Sequence, residues 1–310
     1  MVATGHRRLW PRRDPSRGAA EPARLLTNDD VPAALTVCAK DPITSVMAAA
    51  RLEVASENGL AGAGGAAWGW PNQGPLQAVA WAGSNLIPVV PSKDPIIRQQ
   101  AVAAFVTRAR IAGRRSSSMV GDAELVLALW QTLRRYWSVP RDIRANQPSL
   151  ALTGSAQIAP DPQVRRSRLS DLDTILPAAI AMFTEEVGYS PVASGSAAYR
   201  ERVRGYISQG RSFARFGADQ SVNNPEPPVV FKAEVGAAGG SVAQIQGVWV
   251  DPALRGRRLA APGMSAVVGL VQRDIAPTVS LYVNGHNAPA LRTYRAVGFT
   301  QVGTFATVLF

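Results

Sequence analysis

A short basic loop between an apolar strand and a helix has the composition of a phosphate-binding element. Residues 245–250 form an apolar run that ends at Asp251 and Pro252. The loop that follows reads Arg255, Gly256, Arg257, Arg258, Leu259 and Ala260. The stretch from Ala260 to Arg273 predicts a helix. Because a helix N-terminus leaves N–H groups unpaired and carries partial positive charge, this arrangement favours an anion such as a phosphate.

A second motif follows some thirty residues downstream. It consists of an apolar strand around Leu281, a polar turn, a short helix and a glycine stop. Its characteristic residues are Asn287, Ala290, Tyr294, Gly298 and Phe299. Together the two stretches resemble the GNAT superfamily of acetyl-CoA-dependent N-acetyltransferases. That family combines a pyrophosphate loop, Arg/Gln-x-x-Gly-x-Gly/Ala, with a later Asn-x-x-Ala-x-x-x-Tyr-x-x-x-Gly-Phe motif.

The resemblance implies a fold class, a cofactor and a reaction. The fold is α/β (α+β), with a mixed, mostly antiparallel sheet flanked by helices. The cofactor is acetyl-CoA. The reaction moves an acetyl group directly, in a ternary complex, to a primary amine of a small molecule, peptide or protein.

Main-chain groups are the cofactor contacts that the resemblance implies. The N–H groups from Arg257 to Ala261 would hold the pyrophosphate, with Arg255 and Gly256 opening the loop. The main chain at Val248 and Val250 would pair with the pantetheine arm, and one N–H of that strand would polarise the thioester carbonyl. Trp249 lies between these two residues, and strand alternation predicts that its side chain faces the core.

Two side chains of the later motif receive roles from the same resemblance. Tyr294 is the proton donor to the leaving thiolate, since a phenol of pKa about 10 suits a thiol of pKa about 8.5. The alternative is that Tyr294 only packs its helix against the sheet. Asn287 bonds the cofactor arm, caps its own helix, or does both.

The general base is less clearly marked. Gln244 and Gln246 occupy the strand where related enzymes carry a glutamate, and neither amide accepts a proton. Glu234, on the preceding strand, is therefore the first acidic candidate. Glu185 and Glu186, at the end of a helix, are the next, and a solvated surface pair is the alternative for them.

Arg258 departs from the family pattern, which has glycine at this position. Its N–H can reach a phosphate only if its backbone adopts a conformation that a non-glycine residue tolerates. Its guanidinium could add a phosphate contact. The alternative is a surface arginine in a loop that has lost tight CoA binding.

The chain resembles an internal duplication. A strand, an Asp-rich cap and an Ala-rich helix begin near Leu25 and again near Val164. We therefore predict a disordered basic N-terminus (1–24), a degenerate GNAT-like domain (25–153) and a catalytic GNAT domain (163–310). The first domain lacks a glycine loop and the tyrosine motif, and resembles the N-terminal domain of bacterial, mainly actinobacterial, tandem GNAT proteins. We predict that a fragment of residues 160–310 keeps measurable CoA affinity, because every motif residue lies inside it.

Composition limits the other classes of function. The net charge of +11 permits nucleic-acid binding, but the arginines are dispersed and no basic stripe interleaves with aromatics, which disfavours it. Two histidines and one cysteine, Cys38, make no His/Cys zinc site and no intramolecular disulfide, which suits the cytoplasm. No apolar run reaches the length of a membrane span.

Two rival functions remain open at this point. Arg258 and the missing strand glutamate are compatible with a non-catalytic acyl-CoA-binding regulator. The basic charge is compatible with a nucleic-acid binder. The acceptor and the oligomeric state are not encoded in any motif.

Overall fold

The computed structural model describes residues 20–193, 195–217 and 228–310. Most of the predicted basic N-terminal segment, residues 1–19, therefore lies outside the described residues. The helices of the described chain are α1 (Val31–Cys38), α2 (Pro42–Gly62), α3 (Pro95–Ala112), α4 (Ala123–Leu133), α5 (Leu172–Val187), α6 (Ala197–Ser208), α7 (Ala260–Asp274) and α8 (Ala288–Val297). None of them is long and apolar enough to cross a membrane.

The described strands form one twelve-stranded sheet. In chain order they are β1 (Arg24–Leu25), β2 (Ala66–Trp70), β3 (Ala78–Ala82), β4 (Asn85–Val89), β5 (Ser118–Asp122), β6 (Asp142–Leu152), β7 (Arg165–Arg166), β8 (Ser212–Phe216), β9 (Val229–Gly239), β10 (Val242–Val250), β11 (Thr278–Tyr282) and β12 (Thr300–Leu309). Across the sheet they are ordered β1-β2-β3-β4-β5-β12-β6-β11-β10-β9-β8-β7. Two of these pairs, β4–β5 and β10–β11, are parallel and the others are antiparallel, which confirms the predicted mixed sheet.

The two halves of the chain exchange strands at the centre of the sheet. The C-terminal strand β12 lies between β5 and β6, so it pairs with two strands of the first half. In turn, β6 lies between β12 and β11 and supplies the neighbour of β11. Along the sequence the two halves meet near residue 153. In the sheet they are interleaved, because hydrogen bonds join strands of one half to strands of the other.

Strand β6 is also longer than the sequence predicts. The sequence indicates only a short apolar closing stretch at Leu150–Leu152, whereas β6 contains 11 residues. In its first half polar residues such as Arg144 and Gln147 outnumber apolar ones, and the apolar residues among them, Ile143 and Ala145, are exposed. These residues are extended because β12 pairs with them, a contact about 160 residues distant in sequence.

Helices cover both faces of the C-terminal half of the sheet. On one face, α7 and α8 bury a cluster that includes Phe231, Val267 and Tyr294. On the other face, α5 and α6 bury Ile175 and Trp249. The N-terminal half contributes α2 to this second face, where Glu53 accepts a hydrogen bond of 2.6 Å from the N–H of Gly240 in the β9–β10 hairpin.

The segment between the halves is bound along the α7–α8 layer. The N–H of Gln157 donates to the Val297 carbonyl at 2.9 Å, and the N–H of Asp161 donates to the Pro262 carbonyl at 3.0 Å. The second contact lies in the first turn of α7. The predicted linker therefore supports the helix that follows the basic loop.

The strand exchange changes the expectation for a C-terminal fragment. Residues 160–310 lack β6, so β11 and β12 lose the strand that pairs with both, and buried main-chain groups are left without partners. We expect this fragment not to unfold cooperatively, as measured by circular dichroism during heating.

The matched control is the full chain with a protease site inserted between residues 155 and 156. After cleavage the two pieces should co-elute in gel filtration, because the interleaved strands hold them together. A cooperative transition of the isolated 160–310 fragment at the Tm of the full chain would show that β6 is dispensable.

Candidate cofactor and active site

A gap between two parallel strands lies at the centre of the candidate site. Strands β10 and β11 pair only where residues 242–244 face residues 278–280. Beyond Gln244 the strands separate, while β10 remains paired with β9 and β11 remains paired with β6. The inner edges of the two strands thus offer main-chain groups to a ligand that enters between them.

A β-bulge in β10 lies within this gap. Gln246 is opposite Glu234 and Trp249 is opposite Lys232, so Gly247 and Val248 together face a single residue of β9. Gly247 has φ of +62°, a conformation that glycine adopts without strain. The bulge changes the direction of the main-chain groups that follow it.

The main chain of Val248 faces the gap. The N–H of Asp251 bonds to the Val230 carbonyl of β9 at 3.1 Å. Because main-chain groups alternate along an antiparallel strand, Trp249 also bonds toward β9, and Val248 and Val250 face away from it. The Val250 carbonyl accepts a bond of 3.1 Å from Arg255 Nε.

The side chain of Trp249 lies in the core, as its alternation predicts. It is 9% exposed and packs with the α5–α6 cluster. Its indole N–H donates to Glu185 at 3.4 Å. The main chain of Trp249 bonds toward β9, so neither its side chain nor its main chain faces the gap.

The basic loop presents free N–H groups at the start of α7. In the described chain, the N–H groups of residues 257–261 donate to no protein acceptor. The helical ladder begins with Gly263 donating to Leu259 at 3.1 Å, and Pro262 has no N–H to contribute. Leu259, Ala260 and Ala261 are partly exposed, so these donors are accessible to an anion.

Two residues of the loop have left-handed backbone conformations. Gly256 has φ of +79° and Arg258 has φ of +60°, and Arg258 is the one non-glycine residue with positive φ in the described chain. A non-glycine residue in this region costs about 1 kcal/mol or more. Arg258 therefore keeps the backbone shape of the glycine it replaces, at a cost in strain.

The three arginines of the loop have different surroundings. Arg255 forms an ion pair of 2.7 Å with Glu185 at the end of α5. Arg257 and Arg258 are exposed, and neither forms an ion pair with a described residue. Arg255 thus ties the loop to α5, and the other two guanidinium groups stay available to a ligand.

Tyr294 is almost buried within α8. It is 7% exposed, and its ring meets Phe299 edge to face with centroids 6.1 Å apart. Burial, with a smaller contribution from Glu186, raises the pKa of the Tyr294 phenol above its ordinary value. The phenol is therefore protonated at neutral pH, the state that a proton donor requires.

Asn287 caps the helix that carries Tyr294. Its Oδ1 accepts from the N–H of Ala290 at 3.2 Å, so the capping role is the one present in the free protein. Gly298 ends the helix with φ of +112°. The motif spacing thus defines the length of α8 and the position of its tyrosine.

Glu234 is buried in an ion pair that sequence reasoning missed. The Glu234 side chain is 5% exposed, and its Oε1 lies 2.6 Å from Nζ of Lys232, which is fully buried. The same ammonium donates to the carbonyl of Gly247 in the bulge at 3.0 Å. A lysine within the apolar run of residues 229–233 was the signal in the sequence that could have revealed this ion pair.

The other acidic candidates, Glu185 and Glu186, lie at the end of α5 with about half of each side chain exposed.

The parallel pair in the N-terminal half is closed. Strand β4 pairs with β5 at only two positions, but the strands stay close beyond them, since a Cβ added at Gly121 would lie 3.6 Å from the Pro88 carbonyl. Pro88 offers no N–H. The Asp94 carboxylate caps α3 through the N–H of Ile96 at 2.8 Å, so negative charge stands where a phosphate would bind.

Arg98 joins the ends of the two strands in this closed pair. Its guanidinium donates to the Val90 carbonyl after β4 at 3.3 Å and to Asp122 at the end of β5 at 2.7 Å. The half that lacks the motifs therefore has no open gap between its parallel strands.

In the described chain, no group of three His, Cys, Asp or Glu residues could hold a metal ion.

Two family models match different parts of the chain. Residues 196–299 match the model of the "Acetyltransferase (GNAT) family", and residues 65–175 match a "Domain of unknown function (DUF4081)". A mycothiol acetyltransferase of Brachybacterium faecium is 41% identical over 75 residues. That alignment covers 24% of this chain and 23% of the relative.

Solved structures extend the similarity over nearly the whole chain. A protein described as a "tandem GNAT protein from the clavulanic acid biosynthesis pathway" matches with a TM-score of 0.52 and 15% identity, over 92% of this chain and 97% of its own. A GNAT-family acetyltransferase of Colwellia psychrerythraea matches with a TM-score of 0.51 and 11% identity, over 93% and 99%. A Drosophila protein reaches a TM-score of 0.62 at 12% identity, over 94% and 99%. The chain therefore has a tandem GNAT fold and carries a GNAT acetyltransferase domain toward its C-terminus, preceded by a DUF4081 domain at residues 65–175.

Proposed function

We propose that this protein is an acetyl-CoA-dependent N-acetyltransferase whose single cofactor site is the gap between β10 and β11. The observation that carries the proposal is the open inner edge of β10 at Val248, which is followed in the chain by the free N–H groups of residues 257–261 at the start of α7. The buried Tyr294 of α8 lies in the apolar cluster against which Val248 and Val250 pack. The parallel pair β4–β5 of the N-terminal half has no comparable opening.

The residues present fit acetyl-CoA, which would supply the acetyl group as a thioester. The donors at the start of α7 match the pyrophosphate, and the exposed Arg257 and Arg258 add positive charge beside it. The open edge of β10 matches the amide groups of the pantetheine arm, which pairs as an added strand would.

Each reacting atom then has a protein group assigned to it. The amine nitrogen of the acceptor bonds to the carbonyl carbon, and the carbon–sulfur bond breaks. The N–H of Val248 donates to the carbonyl oxygen as negative charge develops there. Tyr294 gives its proton to the departing thiolate, and Glu234 accepts the proton that the amine loses, directly or through water.

Release of free thiol tests the activity. The purified chain is incubated with acetyl-CoA and a panel of primary amines, and the thiol is measured with a chromogenic disulfide. Turnover with at least one amine supports the proposal. Binding of acetyl-CoA in calorimetry without turnover on any amine, peptide or protein would favour an acyl-CoA-binding regulator instead.

Calorimetry should also give one acetyl-CoA per chain, because Pro88, Asp94 and Arg98 close the parallel pair of the first half. Arg257→Ala weakens the site of the second half, and Arg98→Ala serves as the control in the first half. The first should lower the affinity of that one site, and the second should leave it unchanged. A stoichiometry of two would show that the first half binds CoA.

Tyr294→Phe removes the proposed proton donor but keeps the ring that packs against Phe299. We expect kcat to fall about 100-fold or more, the usual scale for a general acid, while the Kd for CoA stays within about twofold. Tyr136→Phe is the matched control, because Tyr136 is 54% exposed in the N-terminal half. Wild-type kcat in Tyr294→Phe would leave this tyrosine with a packing role only.

Arg258→Gly separates the backbone of the loop from its charge. Glycine relieves the strain at φ of +60° but removes the guanidinium. If that group contacts phosphate, CoA binding should weaken and depend less steeply on salt, with Arg258→Lys intermediate. Titrations at several salt concentrations measure this. Tighter binding in Arg258→Gly would mean that strain in the loop opposes cofactor binding.

A further inference from the structure

Lys232 is the fully buried ammonium of the described chain, and the reaction outlined above gives it no step. A buried charge is costly unless it is paired and hydrogen-bonded. Here two groups satisfy it, the Glu234 carboxylate at 2.6 Å and the Gly247 carbonyl at 3.0 Å. The second contact lies in the bulge of β10, so Lys232 joins the acid–base candidate to the main chain of the gap.

The bulge explains why this carbonyl needs a side-chain partner. Gln246 and Trp249 are the positions of β10 in register with Glu234 and Lys232 of β9. Gly247 falls between them, out of register, with its carbonyl toward Lys232. The ammonium of Lys232 supplies the hydrogen bond that the strand does not.

This contact determines the direction of the next N–H. The Gly247–Val248 peptide is trans, since the one cis bond of the described chain joins Trp70 and Pro71. In a trans peptide the C=O and the following N–H point in opposite directions. A carbonyl held toward Lys232 therefore turns the N–H of Val248 away from it, in agreement with the alternation along β10.

Space around the bulge leaves the peptide little freedom. A Cβ added at Gly247 would lie 2.2 Å from Oε2 of Glu234 and 3.1 Å from the terminal methyl of Met182. The carboxylate thus packs directly on the Cα of Gly247, while Lys232 holds its carbonyl. The ion pair encloses the bulge on the face covered by α5.

We propose that Lys232 is a positioning residue, which holds the Gly247 carbonyl and so directs the Val248 N–H into the gap between β10 and β11, where it polarises the thioester. The inference rests on the proposed function for the identity of the ligand. The contact of Lys232 with the Gly247 peptide does not depend on that identity, so the two can fail separately.

The sequence offers a direct probe of this peptide, because Gly-Val occurs once in the chain, at residues 247 and 248. Labelling with [1-¹³C]glycine and [¹⁵N]valine leaves a single signal in a carbonyl-filtered amide spectrum. In the wild-type protein, acetonyl-CoA, whose ketone mimics the thioester, should move this amide proton downfield relative to CoA alone. An identical signal with both ligands would overturn the proposal without any variant.

Lys232→Met tests the role of the ammonium. In the free variant the Gly-Val signal should shift, and its response to acetonyl-CoA should be lost. An unchanged signal and an unchanged response would overturn the proposal, and a lower Tm alone would not support it. Lys93→Met, an exposed lysine of the N-terminal half, should match the wild type in signal and in turnover.

A second variant keeps the test valid if the unpaired Glu234 prevents folding. Lys232→Met/Glu234→Gln removes both charges, and its reference is Glu234→Gln alone. The double variant should lose a further 10- to 100-fold in kcat with the Kd for CoA within about threefold, since loss of an oxyanion donor costs about 10²–10³-fold. Equal kcat in the two would mean that Lys232 acts only through Glu234.

The outcomes also separate this inference from the proposed function. A wild-type protein that binds no CoA refutes the proposed function, and the Gly-Val signal of the free Lys232→Met variant still reports whether the contact exists. The positioning role alone is refuted by a different outcome. The wild-type enzyme is then active, but its Gly-Val signal is changed neither by the ketone of the ligand nor by Lys232→Met.

Discussion

The separation of β10 from β11 is the constraint on which the rest of the site depends. Two parallel strands that diverge leave main-chain donors and acceptors without partners along both inner edges, and buried orphans of this kind are costly. Each strand can diverge because its other edge stays paired, β10 with β9 on both sides of the bulge and β11 with β6. The antiparallel neighbours thus stabilise an opening that the parallel pair alone could not maintain.

In the N-terminal half, residues of the protein itself close the corresponding parallel pair. Strands β4 and β5 have the same parallel relation, but Pro88 removes a donor, Asp94 occupies the helix start, and Arg98 bonds to both strand ends. In that half, side chains of the protein itself bond to the main-chain groups that a ligand would otherwise contact. What this half supplies to the other is structural: β6 completes the sheet beside β11, and α2 packs on the β9–β10 hairpin.

The sequence predicted the parts of the site that are local in the chain. The loop before α7, the helix limits around Tyr294 and the cap at Asn287 depend on neighbouring residues, and the structure contains each of them. The roles assigned to these residues remain predictions. The length of β6 could not be predicted from its polar residues, because its extended form depends on β12. Lys232 was missed for a similar reason, since its partner carbonyl is brought to it by a bulge 15 residues away.

Arg258 and Lys232 are both residue types that are unfavourable in their local surroundings, and both lie beside the gap. An arginine with φ of +60° is strained, and a lysine with no exposure must be paired to be tolerated. Neither residue is the best choice for stability, since glycine would suit the first position and an apolar pair could replace the second ion pair. Residues that cost stability are retained mainly where they serve a site. Their common effect is on main-chain direction: Arg258 has the conformation that aims the loop N–H groups outward, and Lys232 holds the peptide that aims the Val248 N–H into the gap. The site is therefore organised through its backbone, and these two side chains act by determining where that backbone points.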